Sequence, residues 1–287
     1  MGWNIRALYR KVAGQYTYIS WADVWRHVTE PCYDELNPQP KEKVYHLEDG
    51  VMNGHMCELY QTALGRFWIP APGTNLLALL LWEIAIQQDY DSDGVGGRPG
   101  DTVFDCGAHV GVFTRYCLQR GVKRVIAVEP DPTNLACLEA NFAAEIASGQ
   151  VTIIKAGVWN TKTKLPLFEP GGVNSGGNSF VNRAAPNIYK LDEIPVLPLD
   201  EIVGDLKLDR VDFIKMDIEG AERYALEGAA KSIARFKPRM AICTYHLADD
   251  LQVIPAIVKS AQPSYQIHGK DVEIMAGRAN IKVLFFQ

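Results

Sequence analysis

The sequence predicts an α/β fold: an open, mostly parallel sheet from about residue 98 to the end, preceded by a helical and hairpin cap over residues 1–97. Two observations point to it. After residue 98 short apolar runs alternate with helical stretches, the rhythm of βαβ units. Residues 91–100 crowd Asp, Ser, Gly and Pro into a loop that separates this half from an N-terminal stretch of different texture. The 287 residues, 47% hydrophobic and 22% charged, suffice for a large core. With 34 acidic against 29 basic residues the net charge is −5, so no global positive field collects phosphate backbones. Nucleic acid and anionic membrane are therefore not the expected partners.

In chain order, Trp3, Trp21 and Trp25 are spaced to share a face of one or two amphipathic helices, and residues 37–40 break the chain. Residues 44–69 read as a small hairpin of short strands, with turns at Glu48-Asp49-Gly50 and Met52-Asn53-Gly54. Asn75 is expected to cap a helix over 76–88 whose nearly all-round apolarity requires burial. That run is shorter than the about 20 residues a bilayer demands, so no membrane span is expected. Arg6, Arg10 and Lys11 interrupt the N-terminal apolar residues, and no secretory signal is visible. The six cysteines form no Cys-x-x-Cys, which predicts reduced, buried thiols and a cytoplasmic location.

Strands are expected at 102–106, 124–129, 151–155, 211–217, 239–245 and 281–286, with helices at 112–119, 133–147, 221–234 and 249–260. The stretch 160–199 breaks the rhythm and reads as a long functional loop, in which Asn174, Ser175, Asn178 and Ser179 offer donors and acceptors to a polyhydroxylated ligand or to solvent.

The informative motif is Asp105-Cys106-Gly107-Ala108-His109-Val110-Gly111, between a strand and a helix. In such sheets ligands bind beyond the carboxyl ends of the strands, where glycines admit a cofactor to the backbone. Glu129 ends the next strand, where a carboxylate can accept from the hydroxyls of a ribose. A dinucleotide fingerprint needs glycine at positions where this chain has His109 and Val112. Asp105 would repel a diphosphate but could bind the ammonium of a methionine moiety. S-adenosylmethionine fits this pattern better than NAD; the bland alternative is a turn whose glycines only pack helix on sheet.

The run 101–112, the strand end Val128-Glu129-Pro130 and the segment Val211-Asp212-Phe213-Ile214-Lys215-Met216-Asp217-Ile218-Glu219-Gly220-Ala221-Glu222 together resemble the FkbM family of S-adenosylmethionine-dependent methyltransferases. Leu226-Glu227-Gly228-Ala229 and Tyr245-His246, followed by Asp249-Asp250-Leu251, resemble it in order and spacing. The resemblance covers roughly residues 98–260. It implies a Rossmann-like class I methyltransferase sheet of seven strands, the last antiparallel, and methyl transfer to a hydroxyl of a small molecule such as a sugar, glycoside or natural product. In that fold an adenine ring would pass Ala156, Gly157 and Val158, while Trp159 could simply pack against the sheet.

Lys215, Asp217 and Glu219 alternate with Ile214, Met216 and Ile218, so the three charges share one side as far as the strand continues. Asp217 is expected to face both cofactor and acceptor. Glu219 and Glu222 lie where they could also only favour a helix N-terminus. His246, just past the fifth strand, is expected to meet Asp217 and Glu219 and to act as general base for an alcohol; its bland role is to fix its own loop. The trio could instead hold Mg2+, although nothing in the spacing demands a metal. Two other readings remain open: a nucleotide-cofactor (NAD-type) oxidoreductase and a non-catalytic cofactor-binding module.

Overall fold

The computed structural model describes residue 18 and residues 43–170, 175–181, 188–275 and 278–287. The helices expected around Trp3, Trp21 and Trp25, and the break at 37–40, lie outside the described residues.

The first described element is an antiparallel meander of β1 (Tyr45–Met52), β2 (His55–Thr62) and β3 (Gly65–Pro70), one strand more than the expected hairpin. Asn53 and Gly54 make the β1–β2 turn with φ of 50° and 80°, the left-handed pair that a two-residue hairpin requires. The other expected turn is not one: Glu48, Asp49 and Gly50 continue β1 past a register slip between His46 and Glu48. Gly50 serves packing instead, because a Cβ there would sit 2.9 Å from the Trp68 ring.

Helix α1 (Thr74–Leu81) runs into a π-helical turn over Trp82–Ile86. It starts one residue before Asn75, with Gly73 at the cap and no side-chain cap bond, so Asn75 does not play its expected part. The Gly73 N–H is satisfied by Glu58 Oε2 at 2.8 Å instead. Among the described residues no helix is long and apolar enough to cross a membrane.

The main sheet has seven strands. They are β4 (Thr102–Cys106), β5 (Arg124–Val128), β6 (Val151–Ile154), β10 (Phe213–Met216), β11 (Arg239–Cys243), β12 (Ile267–Met275) and β13 (Arg278–Phe286), in the order β12-β13-β11-β10-β4-β5-β6. The last strand, β13, runs opposite to the other six, as the resemblance implied. Each expected strand is present within a few residues. Strand β12 escaped notice because His268, Lys270, Asp271 and Glu273 dilute its apolar positions at the sheet edge.

The stretch 160–199 is a correction. Among its described residues it is mostly a β-hairpin, with β8 (Thr163–Pro170) pairing β9 (Ile188–Leu197), and β9 also pairing the short β7 (Gly157–Val158). Pro166, Pro170 and Pro195 masked the strands, since proline normally argues against a ladder; the pairing slips between Pro166 and Phe168 to accommodate one of them.

Helices α2 (Val112–Gln119), α3 (Pro132–Asn141), α4 (Ala143–Ala147), α5 (Leu199–Asp205), α6 (Glu222–Glu227), α7 (Ala230–Phe236) and α8 (Asp250–Ala261) flank the sheet. Asp131 caps α3, its carboxylate accepting from the N–H groups of Thr133 and Asn134 at 2.8 Å each. The expected helix 221–234 divides at Gly228, where a Cβ would stand 2.1 Å from the Trp159 carbonyl oxygen. Phe104, Ile126, Ile214 and Ile242 bury one sheet face against α5 to α8. Val103, Val125, Phe213 and Ala241 bury the other against α2, α1 and the meander, whose Phe67, Ile69 and Leu77 belong to the same core. Burying a side chain such as Phe67 is worth about 1.5–3 kcal/mol, so this shared core holds the N-terminal elements against the sheet end where the cleft lies.

Candidate functional site

Parallel strands deliver their loops to one edge, and the segments after β4, β5, β6 and β10 line a cleft there. Of the residues expected to bind a cofactor, Gly107, His109, Glu129, Pro130, Ala156, Gly157, Val158 and Asp217 line it. The β4 loop turns sharply, with φ of 78° at Gly107, 52° at His109 and 91° at Gly111. A Cβ on Gly107 would lie 2.0 Å from the Asp217 carbonyl oxygen, so glycine is what lets this loop close against the end of β10.

Asp105, Ala108, Val110 and Gly111 do not line the cleft. Gly111 makes room for protein, since a Cβ there would meet the Phe142 ring at 2.2 Å and Leu138 at 2.7 Å. Val110 and Ala108 are buried, and the Val110 carbonyl accepts from Asn141 Nδ2 at 2.9 Å. Asp105 is fully buried beneath the loop and opposite Lys215 in the β4–β10 register. Its carboxylate accepts from Thr114 Oγ1 at 2.7 Å and pairs with Lys215 Nζ at 3.2 Å. Burial alone would lower the Lys215 pKa, but Asp105 and then Asp217 outweigh it and hold it above the ordinary lysine value. An aspartate committed to an internal cation is not available to a ligand's ammonium.

Glu129 is buried at the cleft wall. Its Oε2 accepts from the His109 N–H at 2.8 Å; its Oε1 accepts from the Asp131 N–H at 3.0 Å and, at a long 3.4 Å, from Asn134 Nδ2. Of about four acceptor positions on a carboxylate, one is left for a ligand hydroxyl, and a second opens if the long Asn134 contact yields. Burial raises the Glu129 pKa to about 7, despite the backbone bonds that favour its charge. Burial pushes the His109 imidazole down to about 4, so that it is neutral near pH 7.

On the far side, Asp217, Glu219 and His246 come together as expected. The His246 side chain is buried, with Nε2 3.6 Å from Asp217 Oδ1 and 3.5 Å from Glu219 Oε2. Behind it, Nδ1 stands 2.9 Å from Glu222 Oε1. Glu222 is fully buried and its carboxylate also accepts from the N–H groups of Ile218 at 2.9 Å and Gly220 at 3.0 Å, which fixes the turn after β10. Glu219 sits in that turn with φ of 57°. It is not on the strand, so the expected alternation ends at Met216. Burial opposes charge on His246, but Glu222 and Glu219 prevail and hold its pKa well above the ordinary histidine value. The same two carboxylates that favour the charged imidazole are therefore the groups with which His246 would share a proton.

Sequence reasoning missed Tyr90, Phe180 and the roles of Tyr245 and Glu222. Tyr90 donates its hydroxyl to Asp217 Oδ2 at 2.7 Å, and Tyr245 reaches Oδ1 at 3.4 Å. Burial and Asp217 raise the Tyr90 pKa well above 10, so it remains a donor. Lys282 of β13 fixes the chain around Tyr90 by pairing with both Glu83 and Asp89 at 2.6 Å. Phe180 lies across the cleft, its ring 2.2 Å from where a Gly157 Cβ would be. Nearby, Ser179 donates to the Glu219 carbonyl at 2.6 Å and Asn178 to Asp131 Oδ2 at 3.0 Å, so both are engaged with protein; Asn174 lies outside the described residues, as does the Ser175 side chain. Trp159 stacks on Tyr224 with ring centroids 4.1 Å apart.

Residues 105–264 match the methyltransferase FkbM domain. The chain is 28% identical over 171 residues to the 31-O-demethyl-FK506 methyltransferase FkbM of Streptomyces tacrolimicus, covering 51% of this chain and 66% of that protein. It is 23% identical over 180 residues to the hexuronic acid methyltransferase AglP of Haloferax volcanii, covering 62% and 70%. A solved methyltransferase FkbM of Methylobacillus flagellatus KT is similar at 27% identity and a TM-score of 0.48, covering 66% of this chain and 44% of that one. The chain thus spans just under two thirds of the Streptomyces protein and less than half of the Methylobacillus one.

Proposed function

Because the chain belongs to the FkbM methyltransferase family, we propose that it transfers a methyl group from S-adenosylmethionine to a hydroxyl of a small molecule, such as a sugar, a glycoside or a natural product. The observation that supports this most is the pairing of two carboxylates across one cleft: Glu129, with acceptor capacity suited to a ribose hydroxyl, and Asp217, beside a second acid and a histidine. A dinucleotide oxidoreductase is not favoured, since His109 stands where its fingerprint needs glycine.

When bound, the cofactor supplies a methyl group on a cationic sulfur, already activated for attack by oxygen. Glu129 would hold the ribose, and the small surface of Ala156, Gly157 and Val158, with Phe180 above, would hold the adenine. Asp217 would face the methionine end, in place of Asp105. An alcohol is a weak nucleophile, so the protein's task is to align it and to accept its proton. His246, Asp217 and Glu219 are the groups placed to accept that proton, and Tyr90 keeps Asp217 oriented. The segment 1–97 and the β8–β9 hairpin are proposed to enclose the acceptor, which keeps the electrostatics unscreened. The five cysteines among the described residues, all buried and free, and the −5 charge support a reducing cytoplasm and a small acceptor rather than nucleic acid.

Incubating the protein with S-adenosylmethionine labelled in its methyl group and a panel of sugars, glycosides and hydroxylated natural products tests the reading. Labelled methyl ethers are expected, and label carried only on nitrogen or carbon would contradict it.

A further inference from the structure

We propose that Asp217, Glu219 and His246 form a binding site for one divalent transition-metal ion. Each offers one ligand-type atom, and the three atoms lie within 4.8 Å of one another. Metal–nitrogen and metal–oxygen bonds of about 2.0–2.2 Å place neighbouring ligands about 3–3.5 Å apart, so the separations of 3.5 and 3.6 Å from His246 Nε2 need only a small contraction.

Two further observations separate this trio from an ordinary acidic cluster. The His246 side chain is 1% exposed, yet Nε2 has no hydrogen-bond partner of ordinary geometry among the described residues and points between two carboxylates. Its other ring nitrogen, which likewise makes no hydrogen bond of ordinary geometry, stands 2.9 Å from Glu222 Oε1, and metal-ligating histidines characteristically have a carboxylate in that position to fix the ring and its tautomer. Glu222 is itself fixed by two backbone N–H groups, and Asp217 is oriented by Tyr90 and Tyr245, so the ligands are held by their surroundings. Asp217 and Glu219 are 24% and 20% exposed and line the cleft, which leaves an entry path and open coordination positions on that side.

The imidazole selects the ion. Mg2+ and Ca2+ favour all-oxygen shells, whereas one nitrogen with two carboxylates suits Mn2+, Fe2+, Co2+ or Zn2+. The role of the ion rests on the methyl-transfer reading above; its binding does not. In that role it would coordinate the acceptor hydroxyl and lower its pKa. The proton leaves to water, because Asp217, Glu219 and His246, its acceptors in the metal-free reading above, are then ligands. The alkoxide lone pair then forms the new C–O bond, while the C–S bond breaks with its electrons going to sulfur, leaving a neutral thioether.

The test uses the full chain, stripped with a chelator and titrated with Mn2+ in the absence of cofactor and acceptor. Binding is followed by loss of the free-Mn2+ paramagnetic resonance signal, with Zn2+ and Mg2+ as competitors. One saturable equivalent is expected, displaced by Zn2+ far better than by Mg2+. Glu219→Gln and Asp217→Asn should weaken it at least tenfold, and Glu222→Gln by about 10- to 100-fold. Thermal melts establish that each variant is folded, and Glu219→Gln and Asp217→Asn, both partly exposed, carry the test if the buried Glu222→Gln fails. Absence of saturable binding, equal binding by Glu219→Gln, or Mg2+ competing as well as Zn2+ would overturn the site. If the stripped protein still binds S-adenosylhomocysteine, the methyl-transfer reading survives that failure.

Discussion

The Tyr90 hydroxyl donates to Asp217 Oδ2 at 2.7 Å, joining the segment that follows the N-terminal elements to the end of the central strand β10. Asp217 is held below the ordinary carboxylate value: burial raises it, but Lys215, His246 and Tyr90 together prevail. A carboxylate lowered in this way contributes stability above its unfolded pKa and loses it as pH falls through the folded one.

Tyr90→Phe removes a bond to a charged acceptor, worth about 1.5–3 kcal/mol. The variant should be less stable near pH 7 by up to that amount in denaturant unfolding. The acid limb of its pH–rate profile should move to higher pH, because Asp217 becomes easier to protonate. An unmoved limb would take Tyr90 out of the site.

Glu129 carries a second pH dependence, of opposite sign. Its folded pKa, raised to about 7 by burial, means that the native state holds a proton the unfolded chain has released above about 4.5. Its contribution is therefore fully present below that value and declines until pH passes 7. Relative to Glu129→Gln, the wild type should lose on the order of 3 kcal/mol between pH 4 and pH 8. A ribose hydroxyl donates best to the ionised form, so S-adenosylhomocysteine should bind the wild type about tenfold tighter at pH 8 than at pH 6. Titrations of Glu129→Gln should show no such gain.

Lys215→Met should cost about 3–5 kcal/mol in urea unfolding, because it strands Asp105 as a buried charge without its cation. Adding Asp105→Asn should recover part of that loss. If the double variant were no better than the single one, the pair would not be the reason for the cost.

Gly107→Ala and Gly54→Ala separate two uses of glycine. Both positions have positive φ, 78° and 80°, but only at Gly107 would a Cβ strike backbone, the Asp217 carbonyl at 2.0 Å. Gly54→Ala should cost about 1 kcal/mol. The Gly107 variant should lose several times that, together with cofactor binding, as read by melting and calorimetry.

Strand β4 was legible almost to the residue, since its apolar run is bounded by Asp101 and the glycine loop. The convergence of Asp217, Glu219 and His246 was legible too, because each sits just past a strand of one parallel sheet and such ends must meet. Asp105 was not. Its partner Lys215 becomes a neighbour only through the β4–β10 register, which no local pattern encodes. Tyr90 was equally hidden, as a single aromatic in a loop between elements with no periodicity to place it. Glu222 looked like a charge at a helix start, and only the tertiary fold turns it toward His246.

Calorimetric titration of the purified chain with S-adenosylhomocysteine and, separately, with NADH tests the central claim most directly. The account predicts saturable binding of S-adenosylhomocysteine at one site per chain, weakened by about 1–3 kcal/mol in Glu129→Ala, and no comparable binding of NADH. Tight NADH binding without S-adenosylhomocysteine binding would contradict it.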